Sequence, residues 1–169
     1  MCSRGSVIQL FVNQIKNNKP ITITDPEMTR YLMTLNESVE LVMHAFKKGS
    51  KGDIFVQKSP ACTLLDLATS LKEIFDYKKS NLIIGTRHGE KLYESLLSRE
   101  EMARVDDHGK FFRLPADNRS LNYDKFYDEG KEISREYTEY TSHNTERLSV
   151  PQIKKLLLNL DFIKEELKK

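Results

Sequence analysis

Long hydrophobic runs are missing from this sequence, and so are several other signals that mark common protein classes. No apolar segment of the 169 residues approaches the roughly 20 residues that a membrane-spanning helix needs. The first residues lack a signal-peptide pattern, so the expected location is the cytoplasm. Basic residues number 27 and acidic residues 25, and the two signs alternate along the chain. Because no basic stripe is visible, the sequence argues against a nucleic-acid-binding protein.

Metal-binding and nucleotide-binding motifs are also missing. The two cysteines, Cys2 and Cys62, lack CxxC spacing and neighbouring histidines, which disfavours a structural zinc site and predicts free thiols. The seven glycines form neither a GxGxxG fingerprint nor a GxxxxGK phosphate loop, so no dinucleotide site is predicted. Tyr127 and Lys131 have the YxxxK spacing of short-chain dehydrogenases, but acidic residues and a glycine between them argue against a catalytic helix. We therefore assign no catalytic or metal-binding residue.

Four amphipathic helices are predicted from capping residues and apolar spacing. Capping-box patterns at residues 6–9 and 149–152 start the first and the last helix. The second helix is expected to begin at Asn36 and the third after Thr63. After each of these starts, apolar residues recur at intervals of three and four positions, which places them on one face of the helix.

Apolar segments that favour β-structure lie between these helices. The predicted strands cover residues 20–24, 31–34, 53–57 and 81–85. Their alternation with helices through residue 86 indicates an α/β fold. From about residue 98 to 148, charges and scattered aromatic residues replace aliphatic ones, which predicts an irregular arm lying over another surface. We therefore divide the chain into an α/β portion, residues 1–97, and a C-terminal arm with a terminal helix, residues 98–169.

A loop over residues 85–94 carries the strongest functional signal. It follows a predicted strand, which is where α/β sheets place ligand-binding groups. Arg87 offers a planar fork for phosphate oxygens, and Glu90 offers an acceptor for sugar hydroxyls. Arg30 begins another β segment and is expected to reach the same crevice. An exposed ion-pair turn and a surface arginine explain these residues equally well.

Two weaker features point to the same kind of ligand. Residues 3–6, which include Arg4, open a helix whose free N–H groups suit an anion, although simple capping also explains them. Residues 21–24 present backbone that suits a flat base, and an ordinary strand predicts the same pattern. Together, three arginines and one helix terminus favour a ligand with two phosphate charges and hydroxyl groups, such as a nucleotide sugar.

Seven segments of the chain resemble one family of capsular and O-antigen polysaccharide enzymes. The segments are residues 3–11, 22–30, 52–58, 85–94, 113–117, 121–125 and 142–145. The family consists of UDP-N-acetylglucosamine 4,6-dehydratases with 5-epimerase action, which are often labelled UDP-glucose 4-epimerases and belong to the extended short-chain dehydrogenases. The resemblance spans essentially the whole chain, but it covers only the C-terminal half of such an enzyme.

The resemblance implies a substrate-binding subdomain of that fold with residual Rossmann elements. NAD(P) and the catalytic residues would belong to the other half, so this chain alone would bind no cofactor and carry no catalytic residue. The implied UDP-sugar contacts are Val7 near the substrate, Thr22 and Thr24 beside the uracil, Arg30 and Arg87 on the diphosphate, and Glu90 on the ribose hydroxyls.

Three interpretations stay open. The first is the UDP-sugar-binding half of a 4,6-dehydratase, or of a UDP-glucose 4-epimerase-type enzyme, that is inactive alone. The second is a non-catalytic binding or assembly module acting with a separate NAD-binding chain, and the third is an interaction protein without a ligand. The expected partners are the missing NAD-binding half or further copies of this chain. Loss of that half is expected to expose the face formed by Val7, Phe11 and Ile15 and to promote association.

Overall fold

The computed structural model describes residues 5–116 and 137–169. The helices in these residues are α1 (Val7–Lys16), α2 (Leu35–Lys48), α3 (Leu64–Ile74), α4 (Arg99–Met102), α5 (Val150–Leu158) and α6 (Asp161–Leu167). The strands are β1 (Thr22–Ile23), β2 (Thr29–Tyr31), β3 (Ile54–Gln57), β4 (Ala61–Thr63), β5 (Leu82–Ile83), β6 (Ser95–Leu97), β7 (Asp106–Asp107), β8 (Phe111–Leu114) and β9 (Tyr140–Thr141).

Helix α1 packs its apolar face into the centre of the molecule. The Ser6 hydroxyl accepts a hydrogen bond from the backbone N–H of Gln9, as the predicted cap requires. Phe11 and Ile15 are buried, and Val7 is partly buried against the same core. The expectation that Val7, Phe11 and Ile15 would form an exposed face is therefore wrong, because this face packs into the buried cluster, in which α3 lies against α1.

Helices α3 and α5 complete this core. The Thr63 hydroxyl caps α3 by accepting a hydrogen bond from the N–H of Asp66 at 2.9 Å, so the predicted start of this helix is confirmed. Leu67 and Leu71 of α3 are buried in one cluster with Leu157 of α5. Burying one such side chain contributes roughly 1.5–3 kcal/mol. Ile23 of β1 and Cys62 of β4 are buried in the same cluster, so these strands share the core of the helices.

The strands of the described residues form small sheets. In the parallel β1–β5 pair, Thr22 lies opposite Leu82 and Ile23 opposite Ile83. β2 pairs with β4, and β6 with β9, both antiparallel. A further antiparallel sheet has the strand order β3-β8-β7. The parallel β1–β5 pair directs the loops that follow its two strands to the same edge.

Helix α2 starts earlier than predicted. The sequence places its beginning at Asn36, but the helix begins at Leu35 with Thr34 as its cap. The Thr34 hydroxyl accepts from the N–H of Glu37 at 3.2 Å, and the N–H of Thr34 donates to the Glu37 carboxylate at 2.7 Å. Because this reciprocal capping box uses Thr34, the strand predicted at 31–34 lies instead at Thr29–Tyr31.

The stretch from residue 98 to 148 holds more regular structure than the sequence indicates. β8 pairs along its whole length with β3, and β9 pairs with β6. Strands of two to four residues are too short to show a recognisable alternation, which is why the sequence predicts irregular chain there. The division at residues 97 and 98 stays a prediction. Cys2, residues 3–4, residues 121–125 and the Tyr127–Lys131 pair lie outside the described residues.

An ion pair fixes β8 beside the turn that precedes β3. The Arg113 Nε donates to Asp53 Oδ2 at 2.8 Å, and the N–H groups of Ser50 and Ala116 donate to the same carboxylate. The hydrogen bond from Arg113, followed by that from Ser50, lowers the pKa of Asp53 from 3.8 to about 2. The ionised carboxylate is therefore the form that the fold stabilises.

Asp53→Asn is expected to make the stability of the protein less sensitive to acid. Because the pKa of Asp53 is lower in the folded than in the unfolded state, its stabilisation is present above about pH 4 and lost as the pH falls towards about 2. Urea midpoints measured across this range should fall more steeply for the wild type than for the variant. Asp161→Asn, at a side chain that is 93% exposed, is the control. Equal slopes for wild type and Asp53→Asn would contradict the prediction.

Candidate functional site

The candidate site lies at the carboxyl-terminal edge of the β1–β5 pair. The N–H of Ile84 donates to the carbonyl of Ile23 at 2.9 Å, so both strands run to the same edge. Thr24 follows β1 there, and Gly85 follows β5 with a φ of +79°, a conformation that favours glycine and turns the chain outward. Residues 85–94, which we call the arginine loop, therefore start where α/β sheets bind ligands.

A tight turn at residues 87–90 organises the arginine loop. The N–H of Glu90 donates to the Arg87 carbonyl at 3.0 Å, and the N–H of Arg87 donates to Glu90 Oε2 at 3.0 Å. Gly89 has a φ of +78° at the third position, where β-turns often require glycine. The turn thus uses one carboxylate oxygen of Glu90, while Arg87 is exposed. Their contacts with a ligand stay predictions.

Arg30 of β2 reaches the arginine loop. Its Nη1 donates to the Thr29 carbonyl at 2.7 Å, and its Nη2 donates to the Lys91 carbonyl at 3.1 Å. Lys91 directly follows the turn, so the structure brings Arg30 together with the loop that holds the other two predicted residues. A guanidinium has five N–H donors, and these bonds set its direction without using all of them. Whether Arg30 binds a phosphate stays a prediction.

The other predicted site residues bond to neighbours in the protein. The Thr22 hydroxyl accepts from Gln14 Nε2 at 2.7 Å, and the N–H of Thr22 donates to Gln14 Oε1 at 3.1 Å. The Thr24 hydroxyl lies 3.5 Å from the sulfur of Met28. Val7 is the first residue of α1 and packs against the core. Only Thr24 of these three lies at the edge that leads into the arginine loop.

A buried hydrogen-bond network behind the arginine loop was not predicted from the sequence. Thr29 Oγ1 lies 2.7 Å from both Ser142 Oγ and His143 Nδ1. Ser142 Oγ also accepts from the N–H of Glu94 at 2.9 Å. Thr29 and Ser142 are completely buried. The network ties the end of the loop to β2 and to residues 142–143, and the polar run at 142–145 is its only sequence signal.

Tyr31 adds a buried hydroxyl beside this network. Its N–H donates to Glu94 Oε2 at 3.1 Å, and its ring centroid lies 5.8 Å from that of Tyr140. Its hydroxyl is buried next to Tyr140. Burial, together with the nearby Tyr140 and Glu94, raises the pKa of Tyr31, so the phenol stays protonated at neutral pH.

These groups suit the binding of an anionic ligand. Guanidinium N–H groups form charge-assisted hydrogen bonds with phosphate oxygens. Cys62 is a free, buried cysteine whose pKa burial raises to about 12, so its thiol stays protonated at neutral pH. The described part of the chain contains no cluster of three potential metal ligands. It also contains no helix with the length and apolar character needed to cross a bilayer.

Two family models match this chain. A model described as "Polysaccharide biosynthesis protein" matches residues 1–116. A second model, described as "Polysaccharide biosynthesis protein C-terminal", matches residues 117–164. The two matches adjoin each other, so nearly the whole chain carries the sequence pattern of these models.

Several curated proteins from Rickettsia species are similar to this chain. A protein named UDP-glucose 4-epimerase from Rickettsia bellii (strain OSU 85-389) is 58% identical over 168 residues, which is 99% of this chain and 49% of the relative. The protein of the same name from Rickettsia akari (strain Hartford) is also 58% identical, with the same coverage. The chain therefore spans about half the length of the curated relatives it matches.

A solved structure confirms the fold. The structure titled "X-ray structure of Pen from Bacillus thuringiensis" has a TM-score of 0.77 and 32% sequence identity. The match covers 94% of this chain and 46% of that chain. The predicted fold, the C-terminal portion of an extended short-chain dehydrogenase, agrees with this likeness and with the mixed α/β structure. Because the first family model matches more than half of its residues, the chain belongs to the polysaccharide biosynthesis protein family.

Proposed function

We propose that this chain is the UDP-sugar-binding half of an NAD-dependent enzyme that acts on UDP-N-acetylglucosamine by 4,6-dehydration and 5-epimerisation, for surface polysaccharide synthesis. The observation that carries the proposal is the meeting of Arg30 with the arginine loop at the carboxyl edge of a parallel strand pair. The family supports a role in polysaccharide biosynthesis, and the names of the Rickettsia relatives support a UDP-sugar ligand.

In the proposed complex, the two arginines hold the diphosphate. Arg30 and Arg87 suit a pyrophosphate because each guanidinium presents a planar fork to phosphate oxygens. Glu90 accepts from the ribose hydroxyls through the carboxylate oxygen that its turn does not use. The uracil and sugar side of the proposed site comprises Val7, Thr22 and Thr24.

The bond-breaking chemistry is proposed to lie in the other half of the enzyme. NAD bound there would supply reversible hydride transfer at the hexose, as the family resemblance implies. This chain contributes by holding the diphosphate in one place, which orients the hexose for reaction. The proposal includes a cytoplasmic location, the other half as partner and no cofactor bound by this chain alone.

A UDP-glucose 4-epimerase is the second candidate, because the Rickettsia relatives carry that name. The two activities differ in the fate of the 4-keto sugar. A dehydratase eliminates water between C5 and C6, whereas an epimerase reduces C4 again from the opposite face. The binding site of this chain serves either reaction, so the distinction depends on the product.

Reconstitution separates the candidates. The chain is mixed with a polypeptide comprising the part of the Rickettsia bellii relative that it does not match, together with NAD and either UDP-N-acetylglucosamine or UDP-glucose. We expect a product of UDP-N-acetylglucosamine that has lost one water, detected by mass spectrometry. UDP-galactose formed from UDP-glucose would favour the epimerase. An assembled complex that turns over neither sugar would favour a non-catalytic binding module.

The isolated chain is expected to bind UDP-N-acetylglucosamine with a millimolar or weaker Kd. Two charge-assisted arginine contacts contribute roughly 1.5–3 kcal/mol each, whereas association costs at least about 4 kcal/mol. The net free energy falls short of the roughly 4 kcal/mol that a millimolar complex has. Isothermal titration calorimetry on the isolated chain measures this Kd. A micromolar value would contradict the prediction.

A further inference from the structure

His143 is an exposed residue whose side chain the fold holds in one orientation. Its Nδ1 lies 2.7 Å from the hydroxyl of Thr29, which is completely buried. Its ring centroid lies 5.0 Å from that of Tyr93, at an interplanar angle of 42°. One contact fixes an edge of the imidazole and the other fixes a face. Because an exposed side chain loses rotamer entropy when it is held in place, a pair of such contacts indicates a built arrangement.

Thr29 connects His143 to the guanidinium of Arg30. The Thr29 carbonyl accepts hydrogen bonds from Arg30 Nη1 at 2.7 Å and from Ser142 Oγ at 3.3 Å. The hydroxyl of the same residue lies 2.7 Å from both Ser142 Oγ and His143 Nδ1. One residue of β2 thus anchors Arg30 through its carbonyl and is itself anchored through its hydroxyl to residues 142–143.

The last part of the arginine loop is attached to the same residues. The N–H of Thr29 donates to the Leu92 carbonyl at 2.9 Å. Ser142 bonds to Glu94 twice, because its N–H donates to the Glu94 carbonyl at 2.8 Å and its Oγ accepts from the N–H of Glu94 at 2.9 Å. The loop and Arg30 are therefore fixed by one buried network, and the Nδ1 of His143 is the end of that network nearest the solvent.

We propose that His143 is a positioning residue whose Nδ1, through the Thr29 hydroxyl, holds Arg30 and the arginine loop in the arrangement that receives the diphosphate of the ligand. The identity of the ligand rests on the proposed function, whereas the fixing of the loop does not. His143 acts through Thr29 and makes no contact with the ligand. Because the loop is already ordered when the ligand arrives, binding loses less conformational entropy, so we expect the effect on affinity.

A direct contact between His143 and the ligand is the alternative, and the two ring nitrogens distinguish it from positioning. Positioning uses Nδ1, which faces the Thr29 hydroxyl, whereas a direct contact would use Nε2. An asparagine side chain places a donor and an acceptor near the position of Nδ1, and a glutamine side chain places them near that of Nε2. His143→Asn therefore keeps the bond that positioning needs, and His143→Gln keeps the one that a direct contact needs.

Steady-state kinetics of the reconstituted enzyme test the role in affinity. Thr29→Val keeps the shape of the side chain but removes the hydroxyl, so the KM for UDP-N-acetylglucosamine should rise about tenfold. The kcat should stay unchanged, because the bond that is lost orders the loop for binding and does not change in the transition state. His143→Gln should behave like Thr29→Val, and His143→Asn should restore a KM close to that of the wild type. Thr69→Val, at a hydroxyl that bonds within α3, is the matched control.

Amide hydrogen exchange on the isolated chain tests the fixing of the loop without a ligand. In Thr29→Val and His143→Gln, the N–H of Glu94 should exchange about tenfold faster than in the wild type, because the network that holds its acceptor is weakened. Unchanged exchange at Glu94, a fall in kcat at unchanged KM, or rescue by His143→Gln and not by His143→Asn would overturn the proposal. Faster exchange at Glu94 in an enzyme that binds no UDP-sugar would support the fixing of the loop and overturn the proposed function alone.

Discussion

Alanine in place of Arg30 is expected to lower kcat/KM for UDP-N-acetylglucosamine about 100-fold in the enzyme reconstituted from this chain and the other half. Loss of one charge-assisted contact to a phosphate costs about 1.5–3 kcal/mol, and each 1.4 kcal/mol is about tenfold. Arg30 also bonds to the carbonyls of Thr29 and Lys91, so its removal loosens the loop that carries Arg87. We therefore expect an effect in the upper part of that range.

Two further variants test whether the loss of kcat/KM is specific to the guanidinium group of Arg30. Arg30→Lys keeps the charge but loses the planar fork, so we expect an intermediate loss of roughly tenfold. Arg99→Ala removes an exposed arginine from α4 and should leave kcat/KM unchanged. Thermal melting of each variant checks that the fold is intact. An Arg30→Ala enzyme with the kcat/KM of Arg99→Ala would show that the diphosphate binds elsewhere.

Local signals in the sequence predict the starts of α1, α3 and α5, which are three of the six helices in the described residues. The hydroxyls of Ser6 and Thr63 cap α1 and α3 by accepting hydrogen bonds from backbone N–H groups three residues later. Because the partners are so close in sequence, the sequence alone indicates such caps. The sequence places the start of α2 one residue too late, at Asn36 instead of Leu35. Only the reciprocal bond with Glu37 identifies Thr34 as the cap in use.

The sequence does not show which helix has its apolar face covered by other elements, because the apolar patterns of α1 and α2 are alike. Both helices repeat apolar residues at intervals of three and four, and pattern alone shows amphipathicity without showing the neighbour. The structure buries the α1 face that was expected to be exposed and leaves the α2 face open. The difference arises from tertiary packing, since α3 contacts α1 and the buried cluster contains residues of α1 but none of α2.

In the candidate site too, groups that are close in sequence could be predicted and contacts between distant residues could not. The arginine loop was recognised because Gly85, Arg87, Gly89 and Glu90 lie close together after a strand. The network of Thr29 with Ser142 and His143 was not, because 113 and 114 residues separate the partners. A threonine in a strand and a serine in a polar run have many ordinary explanations. Only the fold shows that they bond to each other behind the arginine loop.

Phe11→Ala is expected to lower the free energy of unfolding by about 3–5 kcal/mol, because it leaves a cavity in the core shared by α1, α3 and α5. A protein of this size loses roughly 2–4 °C of Tm per kcal/mol, so the expected fall is about 6–20 °C. Phe46→Ala is the matched control, since both residues are phenylalanines on amphipathic helices. Phe11 is 1% exposed and Phe46 is 83% exposed, so the control should change stability by about 0.5 kcal/mol or less.

Urea unfolding of the two variants, measured on dilute chain, also tests whether the apolar face of α2 is open to solvent. Phe46 contributes little to stability only while its side chain stays in water. Similar losses for Phe11→Ala and Phe46→Ala would mean that another layer covers Phe46. That result would contradict the exposure of Phe46 in the structure.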